Sequence, residues 1–266
     1  MAIFIVFEAS DDLSLSNGNA YIFMSVFFAL CIASRINFSL FILLYLLLFE
    51  EIKLIEKNKS TIILGKSGCG KSVLLKLIYQ LIKNDEGSIL YDKKSFVDID
   101  KFGMLFQYGA LFDSLTIAEN IAFIDFIDGK NNYRNKVINS LKEVGLTADI
   151  YNKYPSEISG GMKKRVALAR AIYKNPKVIF LDEPTTGLDP INSDMINELI
   201  IRIIRKKKMT AVTITHDIQS ALKTGDNYFF LNNGVVEDSG KCQTMLKSKN
   251  KLLDEFLLGV KKLQKG

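Results

Sequence analysis

Histidine and cysteine are scarce in this chain, with one His and three Cys in 266 residues. The cysteines, Cys31, Cys69 and Cys242, are odd in number and far apart, which excludes a metal knuckle and a disulfide framework and fits a reduced, cytosolic compartment. There is no internal repeat and no low-complexity linker, so one main domain is expected. The start carries Glu8, Asp11 and Asp12 where a secretory signal would carry positive charge. Neither apolar run near the start, residues 21–34 or 38–49, alone reaches the roughly 20 residues of a membrane span.

Apolar residues make up 48% of the chain and charged residues 24%, the proportions of a globular protein. Mean hydropathy of +0.14 is high for a soluble one, and the excess lies in residues 20–49. The length suits one sizeable α/β domain with a helical insertion. The net charge of +6 gathers in Arg205, Lys206, Lys207 and Lys208 and in residues 241–265, outside any recognisable nucleic-acid motif. Solvated helix ends, where cations complement the helix dipole, account for it, and no nucleic-acid partner is expected.

From Ser60 onward short β-branched runs alternate with helical patterns, the signature of a parallel sheet wrapped by helices. Residues 61–64, 178–181 and 211–215 read as buried parallel strands, each ending in residues with chemistry. Between Gln107 and Lys174 the pattern turns helical, with Val137, Ile138, Leu141 and Val144 at helical spacing and a break at Gly145. This stretch reads as an inserted helical subdomain, about residues 107–174 of a domain spanning 50–240. The remaining residues, 241–266, read as a Lys-rich helical tail with Leu253, Phe256, Leu257 and Val260 on one face.

Gly65-Lys66-Ser67-Gly68-Cys69-Gly70-Lys71-Ser72 matches the Walker A pattern between an apolar strand and a helix-like run. Glycines let backbone N–H groups and the helix N-terminus face phosphates, while Lys71 reaches the β and γ phosphates of ATP and Ser72 coordinates Mg²⁺. Cys69 fills a variable position there, and a thiol near a helix N-terminus is expected to be open to alkylation. Val178-Ile179-Phe180-Leu181-Asp182-Glu183 reads as Walker B: Asp182 would hold the Mg²⁺ shell and Glu183 would take or polarise the proton of the attacking water.

Ile158-Ser159-Gly160-Gly161-Met162, followed by Lys163-Lys164-Arg165-Val166-Ala167-Leu168-Ala169-Arg170-Ala171, resembles the signature motif of the ABC ATPases, a likeness that extends over about residues 51–240. A Ser and two glycines opening a helix expose amides and a hydroxyl to an anion. The resemblance implies a P-loop NTPase fold with a RecA-like parallel core. It also implies a Q-loop at Gln107, a D-loop at Gly187-Leu188-Asp189-Pro190 and a switch histidine at His216. Glu183, His216 and Gln107 would then be catalytic, with Ser72, Gln107 and Asp182 around Mg²⁺. Two copies would close head to tail, each ATP held by Walker A of one and by Ser159, Gly160, Gly161 and Asp189 of the other. An integral membrane permease would be the further partner, placing the chain peripherally on the cytoplasmic face of a bacterial inner membrane. Residues 104–115 together with Met162 look like the Mla/Mkl branch, ATPases of MCE-type bacterial lipid transporters. Another cargo, such as a small hydrophilic solute, and a non-transport ABC ATPase acting on nucleic acid are the alternatives; the latter usually adds coiled coils, zinc modules or a second ATPase domain, none of which is visible.

Residues 1–49 depart from that family, which opens with antiparallel strands and an aromatic residue that stacks on adenine. Phe38, Phe41 and Tyr45 stand near the expected distance. The segment reads as a transmembrane span with Arg35 and Asn37 at mid-membrane, as a degenerate or misassigned start, or as a divergent folded β region.

Overall fold

A computed structural model of the chain describes residues 5–8, 55–79, 81–83, 89–91 and 101–263. The apolar runs 21–34 and 38–49, and with them Phe38, Phe41 and Tyr45, lie outside the described residues. The chain divides into two units, one of residues 1–54 and 84–97, the other of residues 55–83 and 98–266. In the first unit, β1 (Ile5–Glu8) pairs in parallel with β4 (Ile89–Tyr91), Ile5 opposite Ile89.

The second unit opens with β2 (Ile55–Glu56) and contains a six-stranded sheet. Its strands are β3 (Ser60–Leu64), β5 (Phe102–Leu105), β6 (Val178–Asp182), β7 (Thr210–Thr215), β8 (Asn227–Asn232) and β9 (Val235–Lys241), in the spatial order β5-β6-β7-β3-β8-β9. The first five run parallel and β9 returns antiparallel. All residues of β3 and β7 are buried, as expected of parallel strands covered on both faces. Asn233 (φ 48°) and Gly234 (φ 78°) form the two-residue loop between β8 and β9, the left-handed pair that a tight hairpin requires.

Helix α1 (Lys71–Ile78) follows β3 directly. The helical subdomain consists of α2 (Ile117–Ile121), α3 (Phe123–Ile127), α4 (Arg134–Glu143) and α5 (Gly160–Ile172). Thr116 and Glu119 form a capping box that starts α2. Past α4, Gly145 adopts φ 71° and Leu146 N–H donates to Leu141 O at 2.9 Å, a glycine stop of the kind its position suggests. Ile117, Ile121, Val137, Leu141, Val166, Leu168 and Ile172 share one core with Leu105, Ile179 and Leu181 of the sheet, so the subdomain is packed onto β5 and β6.

The remaining helices are α6 (Pro190–Lys207), whose Ile196, Leu199, Ile200, Ile203 and Ile204 join that same core, and α7 (Ile218–Thr224) and α8 (Lys251–Leu263), which pack in a second one. Arg205, Lys206 and Lys207 form the last turn of α6, and Lys208 closes it in the left-handed region. The segment after Gly240 is joined to the sheet: β9 runs through Lys241, and Cys242, Met245, Leu253 and Leu257 are buried with Ile62, Leu64 and Phe230. Phe256 packs its ring on Phe230, centroids 5.4 Å apart.

Candidate active site

Strand order assembles the site. Leu64 of β3 lies opposite Thr215 of β7, Ile214 of β7 opposite Asp182 of β6, and Leu181 of β6 opposite Leu105 of β5. The Gly65–Ser72 loop, His216, the Asp182–Glu183 pair and Gln107 therefore leave the carboxyl edge from four adjacent strands, where open α/β sheets bind ligands.

Within the loop, the buried Lys71 folds back, its Nζ donating to Gly65 O at 2.7 Å and Lys66 O at 2.8 Å. Gly70 (φ 106°) precedes α1 in a conformation that side chains rarely adopt. Gly65 is required by closeness: a Cβ there would stand 2.4 Å from Leu231 O and 2.5 Å from Cys69 Sγ. Lys66, Ser67, Gly68 and Ser72 are exposed. The expectation of an alkylatable thiol at Cys69 is corrected: only 5% of the residue is exposed, because the loop curls over it and Gly234 N–H ties down its carbonyl at 2.9 Å. Cys69 can thus meet a phosphate with its backbone alone.

The two acids sit differently. Asp182 is half-buried, and burial together with the neighbouring Glu183 charge raises its pKa, against the opposing pull of Lys71 and Lys164. Glu183 is buried and left-handed at φ 47°, a backbone that costs a non-glycine residue on the order of 1 kcal/mol. Its Oε1 meets His216 Nδ1 at 2.8 Å, and its Oε2 accepts from Thr186 Oγ1 at 3.2 Å and Thr215 Oγ1 at 3.4 Å. This fixes one carboxylate orientation at the sheet edge while the His216 ring stays largely exposed.

Mg²⁺ fits this donor set. The exposed Ser72 hydroxyl and the Asp182 carboxylate are hard oxygen ligands, and a carboxylate desolvated beside a second one gains most from a cation. Among the described residues no cluster of three His, Cys, Asp or Glu could hold a metal unaided, so the remaining ligands would be phosphate oxygens and water.

At the start of α5, Ser159 is the N-cap, its Oγ accepting from Met162 N–H at 3.3 Å. Gly160 and Gly161 follow, and a Cβ on either would meet nothing within 4 Å. Asp189 likewise caps α6, accepting from Asn192 N–H at 3.0 Å and Asn192 Nδ2 at 2.5 Å; these bonds hold its pKa below the usual range. Ser159 and Asp189 are thus occupied with local caps.

Gln107 is partly exposed, and its backbone carbonyl accepts from the Nζ of Lys164. Lys164 is buried; burial lowers its pKa, while Asp182 and Glu183 act in the opposite sense. Arg170 donates to Gly109 O at 2.6 Å and to Ala110 O at 2.7 Å. Asn120, fully buried, bonds Phe112 at both N–H (2.8 Å) and C=O (3.0 Å), and also Leu115 O and Thr116 O. None of these three was singled out from sequence. Lys164 and Arg170 sit among other cations of the run 163–171, where nothing in the sequence tells an inward cation from an outward one, and a lone Asn in a helix carries no mark of burial.

The ABC transporter family profile matches residues 53–186. The chain is 36% identical over 217 residues to the intermembrane phospholipid transport system ATP-binding protein MlaF of Haemophilus influenzae, covering 77% of this chain and 82% of that protein. It is 35% identical over 225 residues to the probable ribonucleotide transport ATP-binding protein mkl of Mycobacterium leprae, covering 80% of this chain and 65% of that longer protein. Among solved structures, a dimeric ATP-binding cassette in a post-hydrolysis state bound to ADP and Pi superposes with TM-score 0.62 at 31% identity, over 71% of this chain and 88% of that one.

Proposed function

From the premise that the chain belongs to the ABC transporter family of ATP-binding ATPase proteins, we propose that it is the ATP-hydrolysing subunit of a bacterial lipid transporter and works as a head-to-tail dimer on a membrane permease. The observation that carries the hydrolytic part is Glu183, held by His216, Thr186 and Thr215 at the strand edge beside the Lys71 loop. Phosphoryl transfer needs mainly positioning and charge neutralisation. Lys71 and the loop amides supply them for the β and γ phosphates, and Glu183 orients the attacking water. Asp182, Ser72 and Gln107 would hold Mg²⁺, which neutralises developing phosphate charge.

Gly160 and Gly161 support the dimer. Their own chain has no packing use for glycine there, and glycine weakens a helix, so the bare backbone suits close approach by something from outside. A γ-phosphate presented by a second copy is an anion that a helix start would accept. Nucleotide-dependent pairing measured by light scattering, with ATP turnover in the same sample, tests the reading. A chain that neither pairs nor hydrolyses Mg-ATP, with or without membranes, overturns it.

The lipid cargo rests on residues 104–115, Met162 and the likeness to a phospholipid transport protein. The second relative's name, which specifies ribonucleotide transport, is the observation that favours another cargo. Co-purification from membranes decides it: an MCE-type permease supports lipid, and a solute permease removes it. Peripheral attachment at the cytoplasmic face of the inner membrane follows from that partner. Among the described residues no helix is long and apolar enough to cross a membrane.

A further inference from the structure

Helix α5 carries two cations that are spent on carbonyl oxygens of the Gln107 loop. The Nζ of Lys164 donates to Gln107 O, and the two Nη atoms of Arg170 donate to Gly109 O at 2.6 Å and Ala110 O at 2.7 Å. Among the described residues neither cation lies within ion-pair distance of a carboxylate, the Asp182 and Glu183 charges acting on Lys164 from farther off. Lys164 is buried, and a buried ammonium is costly unless a strong acceptor answers it.

The loop is shaped to be gripped. Gly109 (φ 76°) and Ala110 (φ 46°) are consecutive left-handed residues, and alanine enters that region only when its surroundings impose it. A Cβ on Gly109 would come within 3.3 Å of Ala167 Cβ, so loop and helix backbones run close together. The residue before this strained pair is Tyr108, and before that Gln107, placed at the edge of the catalytic acids. The helix that does the gripping begins at Ser159, Gly160 and Gly161.

We propose that Lys164 and Arg170 are positioning residues that latch the Gln107 loop of one subunit to its own signature helix, so that nucleotide sensed at one site moves the serine-glycine cap serving the other. The inference rests on the ATPase-dimer reading above. Carbonyl oxygens at 107, 109 and 110 make the latch indifferent to the loop's side chains and sensitive to its backbone path. A shift of Gln107 therefore drags α5 as a rigid rod, and Ser159 lies only five residues before Lys164 along it.

The test uses the full chain with Mg-ATP and the variants Lys164→Met and Lys164→Arg. Lys164→Met should lower kcat by about 10- to 100-fold, the range produced by small misplacement of reacting groups, while KM changes by less than about threefold. Lys164→Arg, which keeps a donor of similar reach, should recover most of kcat. Hydrogen exchange gives the second readout. In the wild type, ATP should protect amides 107–111 and 159–162 together; in Lys164→Met only the first segment should respond. If Lys164→Met does not fold, Arg170→Met, which removes the donors to Gly109 O and Ala110 O, serves the same comparison.

Wild-type kcat with joint protection in Lys164→Met overturns the latch. So does a loss of melting temperature with kcat and ATP affinity falling in step and no rescue by arginine, which would mark a merely structural contact. A wild-type chain without turnover overturns the ATPase reading itself, a different result from turnover that ignores Lys164.

Discussion

His216 and Glu183 meet at 2.8 Å, Nδ1 to Oε1, although they come from different strands and lie 33 residues apart. The contact closes because β6 and β7 are direct neighbours in register, so residues just past their ends face each other. The candidate base is thereby oriented from one side by an exposed imidazole and from the other by the hydroxyls of Thr186 and Thr215.

Residues that act as a unit fail together. Glu183→Gln should cut phosphate release by about 10²- to 10⁴-fold with ATP binding retained, and His216→Ala should cut it by a smaller factor. The double variant should be no slower than Glu183→Gln alone. Multiplying single defects would instead show two independent roles. A phosphate-release assay beside fluorescent-nucleotide titration reads both quantities.

At Gly161 stability and activity should move in opposite directions. A methyl group there meets nothing in its own chain, so Gly161→Ala should stabilise α5 by up to about 1 kcal/mol and raise Tm by a few degrees. The same methyl would stand in the path of a second subunit's phosphate, so turnover should drop by at least about tenfold. A scanning-calorimetry run and an ATPase assay suffice, and an alanine variant that is both more stable and fully active would remove the dimer contact.

Asp125 gives the helical subdomain an acid limit. Burial alone would raise its pKa, but hydrogen bonds from Lys174 and from Tyr173 Oη at 2.6 Å, with the Lys174 charge and a 3.4 Å contact to Lys130, bring it to about 2. A carboxyl depressed on folding contributes stability that is fully present above its unfolded value near 4 and is lost as pH falls toward 2. Asp125→Asn should cost on the order of 1–2 kcal/mol at pH 7, discounted because Lys130 is well exposed, and should flatten the fall in stability between about pH 4 and 2. Urea titrations across that range check the sign.

Asn120 should be intolerant of apolar replacement. Asn120→Leu leaves the Phe112 N–H without its 2.8 Å acceptor and Leu115 O without its donor, and reduces Phe112 O and Thr116 O to one backbone donor each, a loss of about 2–4 kcal/mol. Exchange of the 112–116 amides should accelerate more than that of β6.

Much of the sheet edge was legible in the sequence because buried parallel strands are short β-branched runs, and Thr61, Val178 and Ala211 each open one that ends in chemistry. The helix stop at Gly145 was legible for the same local reason. What depended on side chains folding over a distance was not. Cys69 read as an open thiol because its neighbours suggest a helix N-terminus, whereas the curl of the loop that buries it involves Gly234, far along the chain. Lys164 sits between Lys163 and Arg165, and nothing in that run says which cation turns inward. The capping bonds of Ser159 and Asp189 add a local job to residues chosen for their likeness to a family motif.

Leu253 and Leu257 of α8 complete the apolar surroundings of Ile62 and Leu64, and Leu64 immediately precedes the Gly65–Ser72 loop. Shortening the protein from its C-terminal end past Leu257 would strip the cover from the strand that carries the nucleotide loop. Poor solubility and weakened ATP retention would then arrive together, in a form of the protein that still contains every side chain of the candidate site.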